Sequence, residues 1–491
     1  MKAILAAALV SSSFGAVAAD RVATVAMENL PAALASPFRA AQLHTSALFD
    51  PLVRFDAEGR LQPALAISWE NRDPLTWRLT LRPSVSFSNG TPLDAAAVVT
   101  AIDYLANEAT FDDLTKREVP PLAGATAVDA LTVDIRTVEP VPLFPRYATA
   151  IQIPEPHLWT SLGRERFARA PVGTGPFKAE TIAATRWSLA ANPSSWRAPQ
   201  VDRLELLMLP DAAARIQALQ SGRIDVSTVV APDQIADIEA SGGQVRSYLS
   251  PAVYGLVLIT TRGGPLADVR VRRALNMAVD RERIITQLLA GLTVPANQPA
   301  ARVSFGYDPE IPPYGHDPDA ARALLAEAGY PRGFAFTLDA NVGGSAADTS
   351  VWLQVQADLR AVGVAMEIRT MPNAVYLERV NRMEFEGDAF PMAWPSAPPL
   401  DVWRALQVHS CLRPVPWFCD QGIMPTLMAA RTEWDESRAL ALRREVGRHY
   451  HDAAPALFLY ELPALVGLGP RVREFAYANG VIAFDRLTVA D

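Results

Sequence analysis

The stretch "TWRLTLRPSVSFSNGTPLDAAAVVTAIDYL", residues 76–105, decides the fold class of this chain. Apolar and polar side chains alternate in its first part, with Trp77, Leu79 and Leu81 on one face, which predicts a half-buried strand. A second short strand is expected at Val85–Phe87, before the chain turns at an Asn-Gly pair. The stretch therefore begins with β structure.

The second part of the same stretch predicts a helix. Thr91 is the expected N-cap, with Pro92 at the first helical position and Asp94 in the reciprocal capping place. The apolar residues of this helix fall on one face: Leu93, Ala97, Val98, Ala101, Ile102 and Leu105. A strand pattern followed by a capped amphipathic helix indicates an α/β protein.

Two later stretches repeat this pattern of capped helices. Asp268 is expected to cap a helix with an apolar stripe over residues 271–278, and Asp280 is expected to begin a second short helix that ends at Gly291. Asp317 caps a third helix. Strands and helices alternate irregularly through the chain without an internal repeat, which predicts an α/β fold with mixed sheets.

The composition and the first residues narrow the setting in which the protein works. The chain has 491 residues and a formal net charge of -8, so two or three domains are expected and nucleic acid is disfavoured as a partner. Residues 1–19 have one basic residue, an apolar run and a small-residue end, which is the pattern of a secretory signal peptide. The run is shorter than the ~20 residues that span a bilayer. No cysteine lies beside the cleavage site, so no lipid anchor is expected.

The two cysteines, Cys411 and Cys419, are expected to form a disulfide, because an exported chain meets an oxidising compartment. A pair of buried thiols is the alternative. A metal site is disfavoured because His409 is the only histidine nearby. The chain contains no G-x-S-x-G, Walker A, H-E-x-x-H or C-x-x-C motif. No catalytic residue, metal site or cofactor is therefore predicted, and an enzyme is disfavoured.

The segment "MAWPSAPPLDVW", Met392–Trp403, combines two tryptophans with several prolines. The prolines exclude a helix interior, and the segment lacks the alternation of a half-buried strand. An irregular loop is therefore predicted, with Trp394 as a flat apolar surface. Trp403 is expected in the core.

Several blocks, in order along the chain, resemble the periplasmic solute-binding proteins of ABC importers, in the cluster that takes peptides, nickel complexes and related solutes (family 5). They include "LFDPLVRFDAEGRLQPALAISWE" at 48–70, "PVGTGPFKAE" at 171–180, "DVRVRRALNMAVDRERII" at 268–285 and "YDPEIPPYGHDPDAARALLAEAGYPRGF" at 307–334. Each block alone is moderately specific. Their order over most of the chain makes the resemblance to dipeptide- and oligopeptide-binding members strong.

The resemblance implies a two-lobed periplasmic binding protein fold, type II-like with mixed sheets, and an extra domain inserted in the first lobe. The implied boundaries are lobe I at 20–46, 166–250 and 463–491, the extra domain at 47–165 and lobe II at 251–462. Hinges are expected near Ser250–Tyr254 and Leu462–Val466, where the lobes close on a ligand.

The resemblance also implies ligand-binding residues. Trp394 corresponds to a tryptophan that lines the family's cleft. Dipeptide-binding members have an aspartate three residues further on, which receives the amino group of the peptide, whereas this chain has Ala397. An ordinary dipeptide is therefore disfavoured, because a buried ammonium without a charged partner is costly. Asp401 either replaces that carboxylate or is a solvated loop residue. The remaining candidates are Gln42, Leu43 and Tyr376.

The predicted function is the capture of a peptide-like or other small organic solute, such as a short peptide, for delivery to the membrane permease of an ABC importer. Binding of a nickel chelate, an opine or a sugar on the same fold stays open as an alternative, as does an exported enzyme or a chaperone-like binder. The resemblance implies a periplasmic monomer whose protein partners are the permease subunits.

Overall fold

The computed structural model describes residues 20–31, 43–107, 109, 118–342, 348–382 and 384–490. The predicted signal peptide at 1–19 and the candidate Gln42 lie outside the described residues.

The strands are β1 (Val22–Met27), β2 (Val53–Phe55), β3 (Leu61–Pro63), β4 (Ala66–Asp73), β5 (Thr76–Leu81), β6 (Leu122–Asp129), β7 (Thr132–Thr137), β8 (Phe177–Ala183), β9 (Arg186–Ala191), β10 (Arg203–Met208), β11 (Val226–Ser227), β12 (Gln244–Leu258), β13 (Ala335–Val342), β14 (Ala365–Pro372), β15 (Ala389–Pro395), β16 (Ala456–Leu468), β17 (Val472–Glu474), β18 (Tyr477–Ala478), β19 (Val481–Ile482) and β20 (Thr488–Val489). The α-helices are α1 (Ala95–Ala106), α2 (Phe144–Tyr147), α3 (Pro156–Phe167), α4 (Ala212–Gln220), α5 (Ile235–Ala240), α6 (Val269–Ala278), α7 (Arg281–Arg283), α8 (Pro318–Glu327), α9 (Asp348–Ala361), α10 (Asn373–Arg382), α11 (Val402–Val408), α12 (Met424–Thr432) and α13 (Glu436–Ala453).

The predicted strand and helix of residues 76–105 are β5 and α1, and the predicted apolar faces of both are buried. Two details were wrong. Asp94, not Thr91, is the N-cap, because its carboxylate accepts from the backbone N–H of Ala97 at 3.0 Å. Residues 85–87 form a single bridge, Ser86 to Pro92, instead of a strand. The Asn-Gly turn folds the chain back on itself here, so the segment before Asp94 pairs locally and the helix begins later.

The other predicted caps are confirmed. Asp268 accepts from the N–H of Arg270 at the start of α6, and Asp280 accepts from that of Arg283 at the start of α7. Asp317 likewise caps α8. Each carboxylate satisfies one of the backbone donors that a helix N-terminus leaves free, which fixes where the helix begins.

The Met392–Trp403 segment is more regular than predicted. Its first residues belong to β15, which pairs antiparallel with β12 so that Trp394 lies opposite Val253. Its last residues begin α11, which Asp401 caps. The prediction of a loop throughout was wrong because β15 lies inside the sheet between β13 and β12. A strand covered on both faces shows a continuous apolar run instead of alternation.

Two long strands connect the two ends of the molecule. A ten-stranded sheet has the order β14-β13-β15-β12-β16-β11-β1-β10-β9-β8, with β12 and β16 paired antiparallel in its middle. Their pairing is interrupted between Leu249 and Val253, which lie opposite Pro463 and Glu461. The interruption coincides with the segment where a hinge is predicted. A second sheet, β4-β5-β7-β6, packs with α1.

Separate hydrophobic cores lie on either side of this interruption. One core joins β1, β9 and β10 to the four-stranded sheet, so residues 47–165 pack on the same body as the first strands. Two others are built from residues 253–460. This division is the one expected of a two-lobed α/β protein, since each lobe needs its own core. The lobe boundaries stay a prediction.

Candidate functional site

A cavity of about 1140 Å³ lies where β12 passes from one core to the other. Its walls come from residues 46–64, 196–197 and 475–486 on one side and from residues 395–398 on the other. Ser250, Pro251 and Ala252 of the interrupted strand line it as well. The volume is slightly above the range of about 300–1,000 Å³ for small-molecule sites, which suits a short peptide or a similar organic molecule.

Aromatic rings form a large part of the cavity wall. Tyr248 packs against Tyr477 with ring centroids 5.3 Å apart and against Phe475 at 6.2 Å. Burial raises the pKa of Tyr477, so its hydroxyl stays protonated near neutral pH. Phe55 and Trp196 line the cavity too. Such rings offer flat apolar area while the tyrosine hydroxyls remain able to hydrogen-bond.

A buried ion-pair cluster forms another part of the wall. Arg197 donates from Nε to Asp50, and from Nη1 to Asp485 at 2.8 Å. Burial lowers the pKa of Arg197, but the two carboxylates outweigh it and hold the pKa above its usual value. Asp50 also accepts from the hydroxyl of Thr174 at 2.7 Å and from the indole N–H of Trp196 at 2.9 Å. These bonds fix Trp196 at the cavity edge.

Two arginines approach the ring of Trp196. The guanidinium carbon of Arg82 lies 4.4 Å from the ring centroid, and that of Arg54 lies 5.5 Å from it. Burial, followed by the neighbouring charge of Arg197, lowers the pKa of Arg54. The cationic groups therefore concentrate on this side of the cavity.

The predicted site residues are divided between the cavity and the core. Ala397 is half-buried and lines the cavity. Leu43 packs against the core that contains β1, β9 and β10. The carbonyl of Leu43 accepts a hydrogen bond from the hydroxyl of Ser46, which lines the cavity. Tyr376 is buried and donates its hydroxyl to the carbonyl of Pro391. The ligand-binding roles of these residues stay predictions.

Trp394 lies in the core and is only 1% exposed. Its ring stacks on His409 with centroids 3.5 Å apart and meets Phe458 edge-on at 5.0 Å. Neither the indole N–H of Trp394 nor Nε2 of His409 has a hydrogen-bond partner among the described residues. Trp394 is not among the residues that line the cavity, and its predicted contact with the ligand stays a prediction.

Asp401 is fully buried, so the solvated alternative for this residue was wrong. Its two carboxylate oxygens accept from Nε and Nη2 of Arg443 at 2.7 and 2.8 Å. The backbone N–H of Trp403 donates to it as well, at 3.0 Å. The carboxylate holds a buried ion pair and the start of α11 instead of facing water. Trp403 is buried, as predicted.

The predicted disulfide between Cys411 and Cys419 is present, which excludes the alternative of two free thiols. Sequence reasoning missed the residues that form most of the cavity wall, above all Trp196, Arg197 and residues 475–486. Their one signal was a Trp-Arg pair and an aromatic "FAYANG" segment in stretches without strong helix or strand pattern. Nothing in the sequence placed these two stretches side by side.

The two sides of the molecule also touch each other directly. The hydroxyl of Thr149 donates to the carbonyl of Pro398 at 3.2 Å, and Arg431 forms an ion pair with Glu139. Trp77 stacks on Trp434 with centroids 6.2 Å apart. These contacts, which we call the rim contacts, join residues 47–165 to residues 395–434.

Among the described residues, no group of three or more His, Cys, Asp or Glu side chains could hold a metal ion. In the same part of the chain, no helix is long and apolar enough to cross a membrane.

Separate cores on two sides of the molecule, connected by β12 and β16 with a cavity at the crossing, are the arrangement of a two-lobed α/β binding-protein fold. Residues 60–407 match the family described as "Bacterial extracellular solute-binding proteins, family 5 Middle". The chain therefore belongs to this family, and both the predicted family and the predicted fold class are confirmed.

Known relatives agree with this assignment. The chain is 29% identical over 340 residues to the glutathione-binding protein GsiB of Pectobacterium atrosepticum, covering 67% of this chain and 65% of that protein. It is 27% identical over 299 residues to di/tripeptide-binding protein 2 of Pseudomonas aeruginosa, covering 58% and 55%. The match thus spans less than two thirds of either relative. The solved structure of HbpA2 from Haemophilus parasuis shares the fold, with a TM-score of 0.80, 23% identity and coverage of 96% of this chain and 100% of that chain.

Proposed function

We propose that this protein is the extracytoplasmic solute-binding component of an ABC importer and that it captures its solute in the cavity at the β12 crossing. The observation that carries the proposal is the position of the cavity, at the interrupted pairing of β12 and β16, which run from the core on one side into the cores on the other. A solute held there contacts both sides at once. It would therefore stabilise the arrangement in which both sides meet.

The cavity supports a peptide-like or similar small organic solute. Its volume of about 1140 Å³ and its aromatic wall suit a molecule larger than a single amino acid. Relatives are named for binding glutathione and for binding di- and tripeptides. Ala397 lines the cavity, and the resemblance implies that it replaces the carboxylate with which dipeptide-binding members receive an ammonium. We therefore favour a solute that differs from an ordinary dipeptide in its charged groups.

Closure of the cavity is proposed to involve bending at the interrupted pairing of β12 and β16. Lobe I at 20–46, 166–250 and 463–491, together with the extra domain at 47–165, would move against lobe II at 251–462. The rim contacts would break in the open form and re-form on closure. A permease in the membrane would then recognise the closed form.

The protein is proposed to work in the periplasm. The family is described as extracellular, and the disulfide between Cys411 and Cys419 is stable in an oxidising compartment. N-terminal sequencing of the exported protein is expected to begin near Asp20. An exported protein that keeps residues 1–19 would contradict the predicted cleavage.

A ligand screen tests the proposed function. Thermal unfolding is measured with a library of peptides, opines, sugars and metal chelates, because a solute at 100 times its Kd adds about 2.7 kcal/mol to stability. In parallel, protein purified without refolding is denatured, and released small molecules are identified by mass spectrometry. A solute that shifts unfolding or co-purifies supports the proposal. Silence in both measurements would count against it.

A further inference from the structure

We propose that the solute is anionic and that the side chains of Arg54 and Arg246 bind its oxyanion group, a carboxylate in a peptide-like solute. This rests on the proposed function, because it assigns chemistry to the same cavity. Some charged side chains of the cavity wall already have hydrogen-bond or ion-pair partners in the protein, and others do not.

The carboxylates that line the cavity are all engaged by protein donors. Asp50 and Asp485 share Arg197, which donates to both. Asp56 accepts from Nε of Arg60 at 2.9 Å and from the amide of Gln62 at 3.0 Å. Burial opposes ionisation of Asp56, but these bonds hold its pKa below the usual value. Each lining carboxylate in the described part of the chain thus already has an arginine partner, with which the ammonium of a solute would have to compete.

Two of the lining guanidinium groups, by contrast, are unengaged. Neither the side chain of Arg54 nor that of Arg246 forms a hydrogen bond or ion pair with a described residue. The other two lining arginines are held, Arg197 by its two carboxylates and Arg486 by Glu474, to which its Nε donates at 2.8 Å. A guanidinium presents a planar fork of donors that matches a carboxylate or a phosphate. The charged groups of the cavity wall that lack a protein partner are therefore cationic.

The surroundings of Arg54 favour an anion further. Its guanidinium lies near Trp196, and Arg197 and Arg82 are close enough to lower its pKa, after the larger effect of burial. The charges of Arg197 and Arg82 lower the pKa of Arg54, whereas those of Asp485 and Asp50 raise it. An oxyanion placed beside the three arginines relieves the repulsion among them, whereas an ammonium adds to it.

The matched probes for the test are reduced glutathione, its diethyl ester, trialanine, trialanine amide and glycerol 3-phosphate. Affinities of the full-length mature protein are measured by titration calorimetry at low and high salt. We expect glutathione or trialanine to bind at least about tenfold more tightly than its ester or amide, since a charge-assisted hydrogen bond is lost. Tighter binding of glycerol 3-phosphate than of any carboxylate would identify a phosphate-bearing solute and overturn the assignment to a carboxylate.

Substitutions of the two arginines test whether they cause the preference for an anionic solute. Arg54→Gln and Arg246→Gln are each expected to weaken the preferred anion by about tenfold, and Arg54→Lys is expected to restore part of the loss because it keeps the charge. Arg223→Gln is an exposed control outside the cavity, and it should bind nearly as wild type does. Thermal unfolding without solute checks that every variant folds.

The outcomes separate the two proposals. If glutathione and its ester bind equally, or trialanine and its amide bind equally, the anionic assignment is overturned, but the cavity remains a binding site. The same holds if the probes fail and the solute released from purified protein is neutral or cationic. Unchanged anion affinity in both arginine variants also overturns the assignment. Failure of every probe, together with the absence of any released solute and of any hit in the wider library, counts against the proposed function itself.

Discussion

The regions around Trp394 and Trp196 use the same side chain in opposite ways. Trp394 is 1% exposed and stacks on a histidine inside the core of residues 253–458. Trp196 is half-buried, stands at the cavity edge and is held there by Asp50. The ring of Trp394 stabilises the protein by packing in its core, whereas the ring of Trp196 is accessible from the cavity. A tryptophan in a proline-rich segment therefore does not by itself mark a ligand site.

The largest effect is expected for Trp394→Ala. Removing a fully buried indole from the core should lower the free energy of unfolding by about 3–5 kcal/mol, because it creates a cavity that the surroundings fill only in part. Denaturant unfolding without solute measures it, with Trp434→Ala, at a position 40% exposed, as the matched control. Intact stability with lost solute affinity would instead make Trp394 a ligand contact.

A slightly smaller effect is expected for Asp401→Asn, at the end of the same segment. The substitution leaves the buried charge of Arg443 without its carboxylate, and loss of one partner of a buried pair costs about 3 kcal/mol or more. Chemical unfolding of the variant measures this cost. The control is Asp319→Asn, because the side chain of Asp319 is 95% exposed in its ion pair with Arg322. Equal stability of both variants would contradict a structural role for Asp401.

The pH dependence of stability should differ between the two regions. Burial, and then the charge of Arg413, holds the pKa of His409 well below its usual value, so the folded state keeps this histidine neutral. The unfolded chain binds a proton as the pH falls below about 6.5. Stability from this group is therefore present above that pH and is lost below it, by at most about 1.4 kcal/mol per pH unit.

Urea unfolding of wild type and His409→Phe between pH 5 and 8 tests this directly. The wild type should lose stability faster than the variant as the pH falls below about 6.5. The region around Trp196 supplies no histidine to the cavity wall among the described residues. Parallel curves for the two proteins would show that His409 does not contribute.

The smallest effect on stability is expected for Trp196→Ala. Asp50 keeps its bonds to Arg197 and Thr174, so the loss should be about 1 kcal/mol. Solute affinity should fall by about tenfold, because an aromatic contact contributes up to ~1.5 kcal/mol. Calorimetric titration against wild type and the exposed control Arg223→Gln measures this. Unchanged affinity would remove Trp196 from the site.

More of the fold than of the candidate site could be predicted from the sequence. Local patterns placed β5, α1 and the caps Asp268, Asp280 and Asp317, because alternation and capping act over a few residues. The strand β15 was missed because its neighbours on both sides come from distant parts of the chain. The resemblance to a known family supplied the two-lobed architecture that no local pattern contains.

The candidate site was predicted only in part for the same physical reason. Ala397 was named from the resemblance to the family, and it lines the cavity. Trp196 and Arg246 meet residues 475–486, which lie more than 200 residues further along the chain, through tertiary packing. The engagement of each carboxylate by a particular arginine also depends on side-chain geometry, which composition and spacing do not contain.

Hydrogen exchange measured by mass spectrometry, with and without the solute found by the screen, tests the account most directly. If the solute binds in the cavity, exchange should slow in residues 46–64, 475–486 and 250–252, with little change in α11. Slowed exchange confined to β15 and α11 around Trp394 and His409, with the cavity segments unchanged, would contradict it.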